Sequence, residues 1–232
     1  MLSPTRDMDA IQARVRQTLD KGVQIDLSTD QCKRFLMRRV NQKIAVAILY
    51  VDLDGSTKLS MSIEPNKFAT ILHVFSQEMS LLISEYGGYI LKFVGDAVIG
   101  LFPAEYDSRQ AVKNAMDCAK GMREVIKKCI NPELKTHGLP EIKAKISADQ
   151  GDVQVVLYGK SLERSHIDIV GLSISMAAKM LPLAKTWEIV VGQSVYEKLA
   201  DREGFDEIKV DHARWTFFDE RNGISYKIYS LR

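Results

Sequence analysis

Several features are scarce in this chain of 232 residues, and each scarcity narrows what it can do. Charge of one sign is lacking: 32 Lys and Arg against 30 Asp and Glu leave a net charge of +2, which makes no strong case for a nucleic-acid or membrane-surface partner. Cysteine is limited to Cys32, Cys118 and Cys129. An odd count builds no disulfide framework, and the spacing is not that of metal ligands, so a reducing, cytoplasmic setting is expected. Long apolar runs are absent. The longest, Ile44 to Val51, is far too short to insert across a bilayer, and early acids leave the N-terminus no apolar signal core. Repeats, low-complexity tracts and linkers are missing too. What is present, at 46% hydrophobic content, suffices for one good core.

The first forty residues read as amphipathic helices, with Leu19, Ile25 and Phe35-Leu36-Met37 set in a polar background and Gly22 and Ser28 as punctuation. They predict an N-terminal helical extension, residues 1–42, packed on the domain or on a sister subunit. From Lys43 a regular order begins. KIAVAILYV is a continuous apolar run with strong β character, suited to a strand covered on both faces. Pro65 opens a helix to Tyr86, with Phe68, Ile71, Leu72, Phe75, Met79, Leu82 and Ile83 at helical spacing. GGYILKFVGDAVIGLFP predicts two short strands joined at Gly95-Asp96. Ala111, Ala115, Ala119, Met122 and Ile126 line a second long helix, and Lys127-Lys128 reads as its solvated end. IKAKISADQGDVQVVLYG reads as strand, turn and strand about Gly151. A helix over 172–183, the strand WEIVVG, the helix SVYEKLA and a hairpin about Asn222-Gly223 follow. The order β-α-β-β-α-β predicts an α+β, ferredoxin-like sheet with helices on one face, a single catalytic domain over 43–232.

AILYVDLDGSTKLS, residues 47–60, ends a buried strand at two aspartates and starts a helix at once. In this topology Asp52 leaves the first strand where Asp96 sits in the adjacent hairpin turn. Two carboxylates brought together raise one another's pKa unless cations intervene. Mg²⁺ or Mn²⁺, hard ions that take oxygen ligands, remove that penalty, and a pair about 3.5–4 Å apart activates a hydroxyl and neutralises phosphate. The alternative is plain turn chemistry for an aspartate beside glycine. Asp54-Gly55-Ser56-Thr57 delivers the chain to a helix with backbone N–H groups open, which cradles phosphate; a simple cap by Ser56 or Thr57 is the other reading. Strand-end acid, cradle and hairpin acid together point to a nucleoside triphosphate with metals.

LYVDLDGST, LKFVGDAVIGLF, IDIVGLSISMAAKM and LAKTWEIVVGQSVYEKL, in this order, resemble the class III nucleotidyl cyclases over about residues 43–231. The resemblance implies a head-to-tail homodimer with composite sites and two divalent cations. One protomer would supply the metal ligands Asp52, Asp96 and the backbone carbonyl of Leu53; the other would supply Lys92 and Asp168 to read the base edge. Family members carry asparagine and arginine after the DIVG motif, for the ribose and the transferring phosphoryl group, where this chain has Ser175 and Lys179. Lysine keeps the charge without arginine's bidentate fork, and serine is shorter. A catalytically inactive nucleotide-binding module is therefore one alternative, and a preference for Mn²⁺ is the expectation for an active enzyme. Tyr50 replaces a common phenylalanine and shares a strand face with Asp52. Its hydroxyl is offered to a base, or else to a carbonyl or solvent.

With these departures the chain resembles the pyrimidine nucleotide cyclases of bacterial Pycsar anti-phage systems. That implies cyclic UMP or cyclic CMP, made from UTP or CTP as a second messenger for a separate effector. UTP is favoured, since uracil N3–H suits Asp168 and its carbonyls suit Lys92 or Tyr50. Cytosine and adenine edges fit the same pair, so CTP and a purine-specific adenylate or guanylate cyclase stay open. Arg221 is placed loosely near the triphosphate, and His166 is read as a loop histidine. A diguanylate cyclase is set aside: EYGGYILKF is similar to one, but the hairpin lacks adjacent acids and IDIVG has no place there.

Overall fold

The computed structural model describes residues 7–23, 25–161, 164–210, 215–219 and 223–232. In chain order these form α1 (Met8–Lys21), α2 (Asp30–Met37), β1 (Lys43–Leu53), α3 (Ser56–Ser62), α4 (Pro65–Glu85), β2 (Tyr89–Val94), β3 (Ala97–Pro103) and α5 (Ser108–Val125). A π-helical turn (Ile126–Ile130) leads into α6 (Asn131–Thr136), then β4 (Ala144–Tyr158), β5 (His166–Val170), α7 (Leu172–Met180) and a 3₁₀ turn (Leu181–Leu183). The chain ends with β6 (Ile189–Gly192), α8 (Gln193–Tyr196), β7 (Phe205–Glu207), a β8–β9 hairpin (Phe218–Asp219, Ile224–Ser225) and β10 (Ile228–Leu231). Arg221 and Asn222 lie outside the described residues.

The sheet runs β2-β3-β1-β4-β6-β10-β7, with β5 on the outer half of β4. β1 is central and antiparallel to both neighbours. Its alternation sorts two cores. Ala47, Leu49, Val51 and Leu53 pack with α1, α4 and α5 on one face. Ile44, Val46, Ile48 and Tyr50 pack with α2 and α7 on the other. The ferredoxin-like order is as expected, but helices cover both faces, not one. A strand apolar on both sides requires that.

Two local readings are corrected. Residues 144–158 form one unbroken strand, without a turn at Gly151. The glycine serves a close approach: a Cβ there would meet the Ser173 Cβ at 3.3 Å, so α7 rides directly on β4. Ser147 Oγ ties the same helix by donating to the Ala177 carbonyl at 2.7 Å. Lys127 and Lys128 are not a helix end, because the π turn carries the helix on to Thr136.

The polar run that mimics a turn includes Asp149, only 2% exposed. Tyr226 Oη donates to its Oδ1 at 2.7 Å, and the Ser194 N–H donates to Tyr226 Oη at 3.1 Å. Burial pushes Asp149 up to about 7, against the pull of the Tyr226 hydrogen bond. The unfolded side chain titrates near 3.9, so the folded chain holds the proton longer. Stability is therefore lost as pH rises from about 4 to about 7, on the order of 4 kcal/mol by pH 8. Asp149→Asn keeps an oxygen for Tyr226 without the charge. From pH 5 to pH 8, thermal melts should shift in the variant's favour by about 5 °C or more. An unchanged difference at both pH values would exclude the buried carboxyl as the cause.

Candidate active site

Alternation along β1 carries Asp52 onto the face of Tyr50, at the strand's open end. The Val51–Val98 pairing brings it against the turn between β2 and β3, where Gly95 takes a φ of 61° and Asp96 follows. The two carboxyls lie close enough to share a hydrogen bond. Burial, then the charge of Asp96, pushes Asp52 up to about 7, while Lys145 across the β1–β4 ladder pulls it down. Asp96 Oδ2 is buried and has no hydrogen-bond donor among the described residues. A buried oxygen without a donor, beside a carboxyl that resists ionisation, is what a divalent cation relieves. No group of three His, Cys, Asp or Glu side chains that could hold a metal occurs among the described residues. Further ligands would therefore be backbone or substrate oxygens. The Leu53 side chain is sunk in the core shared with α1, α4 and α5, so only its backbone is left to offer a ligand.

Asp54 is not part of an open cradle. Its N–H donates to the Lys143 carbonyl at 2.8 Å, and its carboxylate takes Lys145 Nζ at 2.9 Å and the Thr186 hydroxyl. These two donors, Thr186 first, hold Asp54 below the usual carboxylate range against its partial burial. The open stretch starts at Gly55, whose φ of 79° suits glycine and which begins α3 without a side-chain cap. Neither Ser56 nor Thr57 caps the helix. Their N–H groups sit in its first turn, where no intrahelical acceptor exists.

On the same sheet face, Lys92 Nζ of β2 meets Asp168 Oδ2 of β5 at 2.5 Å. The Ile169 N–H donates to the other oxygen of Asp168 at 2.9 Å. Tyr50 is drawn into this group: burial, then the charge of Asp168, raises its phenol. His166 opens β5 rather than a loop, its Nε2 3.8 Å from Asp168 Oδ2 and its ring stacked on Tyr158. Ser175 and Lys179 stand one turn apart on the exposed side of α7. Lys179 Nζ lies 5.3 Å from the centre of the Phe217 ring, and the structure brings neither residue into contact with the aspartate pair.

One chain thus joins Asp52 to Asp96 and Lys92 to Asp168, with Tyr50 near enough to feel the Asp168 charge, but leaves Ser175 and Lys179 apart. Lys145 and Thr186 belong to the site although sequence reasoning missed them. The signal for Lys145 is its place opposite Asp52, which needs the β1–β4 register to be seen.

A model of the adenylate and guanylate cyclase catalytic domain matches residues 39–216. A cytidylate cyclase of Escherichia coli is 26% identical over 161 residues, 66% of this chain and 35% of that protein. A uridylate cyclase of Rhodovulum sp. is 27% identical over 163 residues, 67% of this chain and 66% of that protein. The match thus spans between about a third and two thirds of these relatives' lengths. Among solved structures, the guanylyl cyclase Cya2 superposes with a TM-score of 0.69 at 21% identity, over 83% of this chain and 93% of that one. With 178 consecutive residues inside the domain model and the fold shared, this chain belongs to the class III adenylate and guanylate cyclase catalytic-domain family.

Proposed function

We propose that this chain is a pyrimidine nucleotide cyclase, converting UTP, or CTP, to the 3′,5′-cyclic monophosphate and pyrophosphate. The observation that carries the reading is the pairing of Lys92 with Asp168, whose charge reaches Tyr50; in the dimer this pair would read the base of a nucleotide held at the Asp52 and Asp96 of the other copy. It is supported by relatives named cytidylate and uridylate cyclases. The ribose 3′-oxygen bonds to the α-phosphorus, the bond to the β-phosphate's bridging oxygen breaks, and the 3′-hydroxyl proton passes to solvent. Asp52, Asp96 and the Leu53 carbonyl would hold two divalent cations, which supply acidification of that hydroxyl and charge neutralisation at the phosphates. Backbone N–H groups from Gly55 to Thr57 face the β- and γ-phosphates. Lys145 balances the acids around them.

Asp168 accepts from uracil N3–H, while Lys92 or Tyr50 donates to a ring carbonyl. Ser175 and Lys179, remote from the aspartates of their own chain, face the ribose and α-phosphate of a second copy. The active form is accordingly a homodimer with composite sites. Lys179 meets developing charge as a point charge without a bidentate fork, which makes Mn²⁺ the better metal. The product serves as a second messenger for a separate effector, in anti-phage defence, and the setting is cytoplasmic. The catalytic domain spans 43–232, preceded by the helices of 1–42.

Incubating the purified protein with Mn²⁺ or Mg²⁺ and each of the four ribonucleoside triphosphates tests this directly. Cyclic UMP or cyclic CMP with pyrophosphate is expected, and faster with Mn²⁺. Turnover of ATP or GTP alone would overturn the pyrimidine reading. Metal-dependent binding without pyrophosphate release would make the chain an inactive module, the outcome that Ser175 and Lys179 make worth measuring.

A further inference from the structure

We infer that α2 is the back wall of the base-reading pocket, and that Cys32 and Leu36 on it are positioning residues that set how far Lys92 and Asp168 can part. This rests on the base-reading role proposed above for that pair.

Lys92 and Asp168 are unexpected neighbours. Strands β3, β1 and β4 separate β2 from β5, four gaps in all. In a flat sheet such strands would stand about 19 Å apart. Their side chains nevertheless meet at 2.5 Å, so the sheet curls and brings two of its edge strands, the rims β2 and β5, together on the face that carries α2. α2 occupies that face and packs against both β2 and β5. Cys32 is 2% exposed and Leu36 1% exposed, in one core with Leu91, next to Lys92, and Ile169, next to Asp168. Cys32 also lines a cleft of about 260 Å³ together with Lys92 and His166. Burial, then the charge of Asp168, pushes its thiol up to about 12. The far end of α2 is tied down. The Phe35 ring lies 5.1 Å from that of Tyr89, and Arg39 binds Glu105 at 2.8 Å.

The family domain match begins at residue 39, so α2 stands ahead of the shared part. A close-packed element wedged between two rims fixes their separation, because packed interiors transmit displacement instead of absorbing it. Rims held close favour a one-ring base over a two-ring base. Truncating the wall should let them spread.

The double variant Cys32→Ala, Leu36→Ala should raise KM for the preferred triphosphate about tenfold while kcat stays within about threefold. Its preference for that ring class over the other should shrink at least tenfold. Leu36→Met, which conserves volume, should restore both values and serves as the folding control. Equal losses for all four triphosphates, or an unchanged preference, would overturn the proposal. Which base the wild type prefers judges the pyrimidine reading; the change in preference judges the wall. If turnover is undetectable, the ratio of dissociation constants for the four triphosphates, measured by calorimetry, decides between the same outcomes.

Discussion

Asp52→Asn and Asp96→Asn are each expected to cut cyclisation by at least about a thousandfold, which is about 4 kcal/mol of lost transition-state stabilisation. Each should leave a folded protein, and melting curves separate this from a merely structural effect. Burial, and then Asp96, pushes Asp52 up to about 7 in the folded chain. The unfolded value is about 3.9, so the folded state holds the proton longer, and stability falls as pH rises through that window. Without metal at pH 8, Asp52→Asn should therefore melt above the wild type, and the two should converge near pH 4. Manganese should reverse the order. At a hundred times its dissociation constant it stabilises the wild type by about 2.7 kcal/mol, and it should do little for the variant. Substantial turnover in either variant, or equal manganese stabilisation of variant and wild type, would remove the two-aspartate metal site.

Arg14→Ala should cost about 3–5 kcal/mol of unfolding free energy, a large share of what a domain possesses. Glu78 of α4 is 1% exposed, and Arg14 of α1 holds it with both forks, Nε to Oε1 at 3.0 Å and Nη2 to Oε2 at 2.6 Å. Without the guanidinium, a buried carboxylate keeps, among the described residues, only Gln77 Nε2 at 3.1 Å. Arg16 and Gln12 grip the equally buried Glu133 in the same way, and hold its carboxyl below the usual range. The double replacement Arg14→Leu, Glu78→Leu should recover most of the loss, since it removes the unpaired charge. Urea titrations of the three proteins measure this. A loss under about 1 kcal/mol for Arg14→Ala would mean that α1 is only loosely attached.

The candidate site was legible in the sequence to the extent that it depends on local pattern. A strand that stops at Asp52, a hairpin that turns at Gly95-Asp96 and a helix that starts at Pro65 all announce themselves through period and turn residues. The meeting of Asp52 with Asp96 then follows from topology. What local pattern hides is whatever a distant partner satisfies. Asp149-Gln150-Gly151-Asp152 looks like a turn because nothing nearby explains a buried acid; its donor, Tyr226, lies 77 residues on. Asp54 looks free for phosphate until Lys145 and Thr186 are seen to hold it. The first forty residues read as an appendage because Arg14 and Arg16 give no hint that two buried glutamates await them.

The three thiols acquire a use from where they are buried. Cys32 lies on the buried side of α2, whereas Cys118 and Cys129 sit in the helix layer on the opposite side of the sheet. A reagent that alkylates thiols reaches each only when its own layer opens. Labelling rates would thus act as separate clocks for the two sides, and show whether nucleotide quiets one side while the other keeps its rhythm.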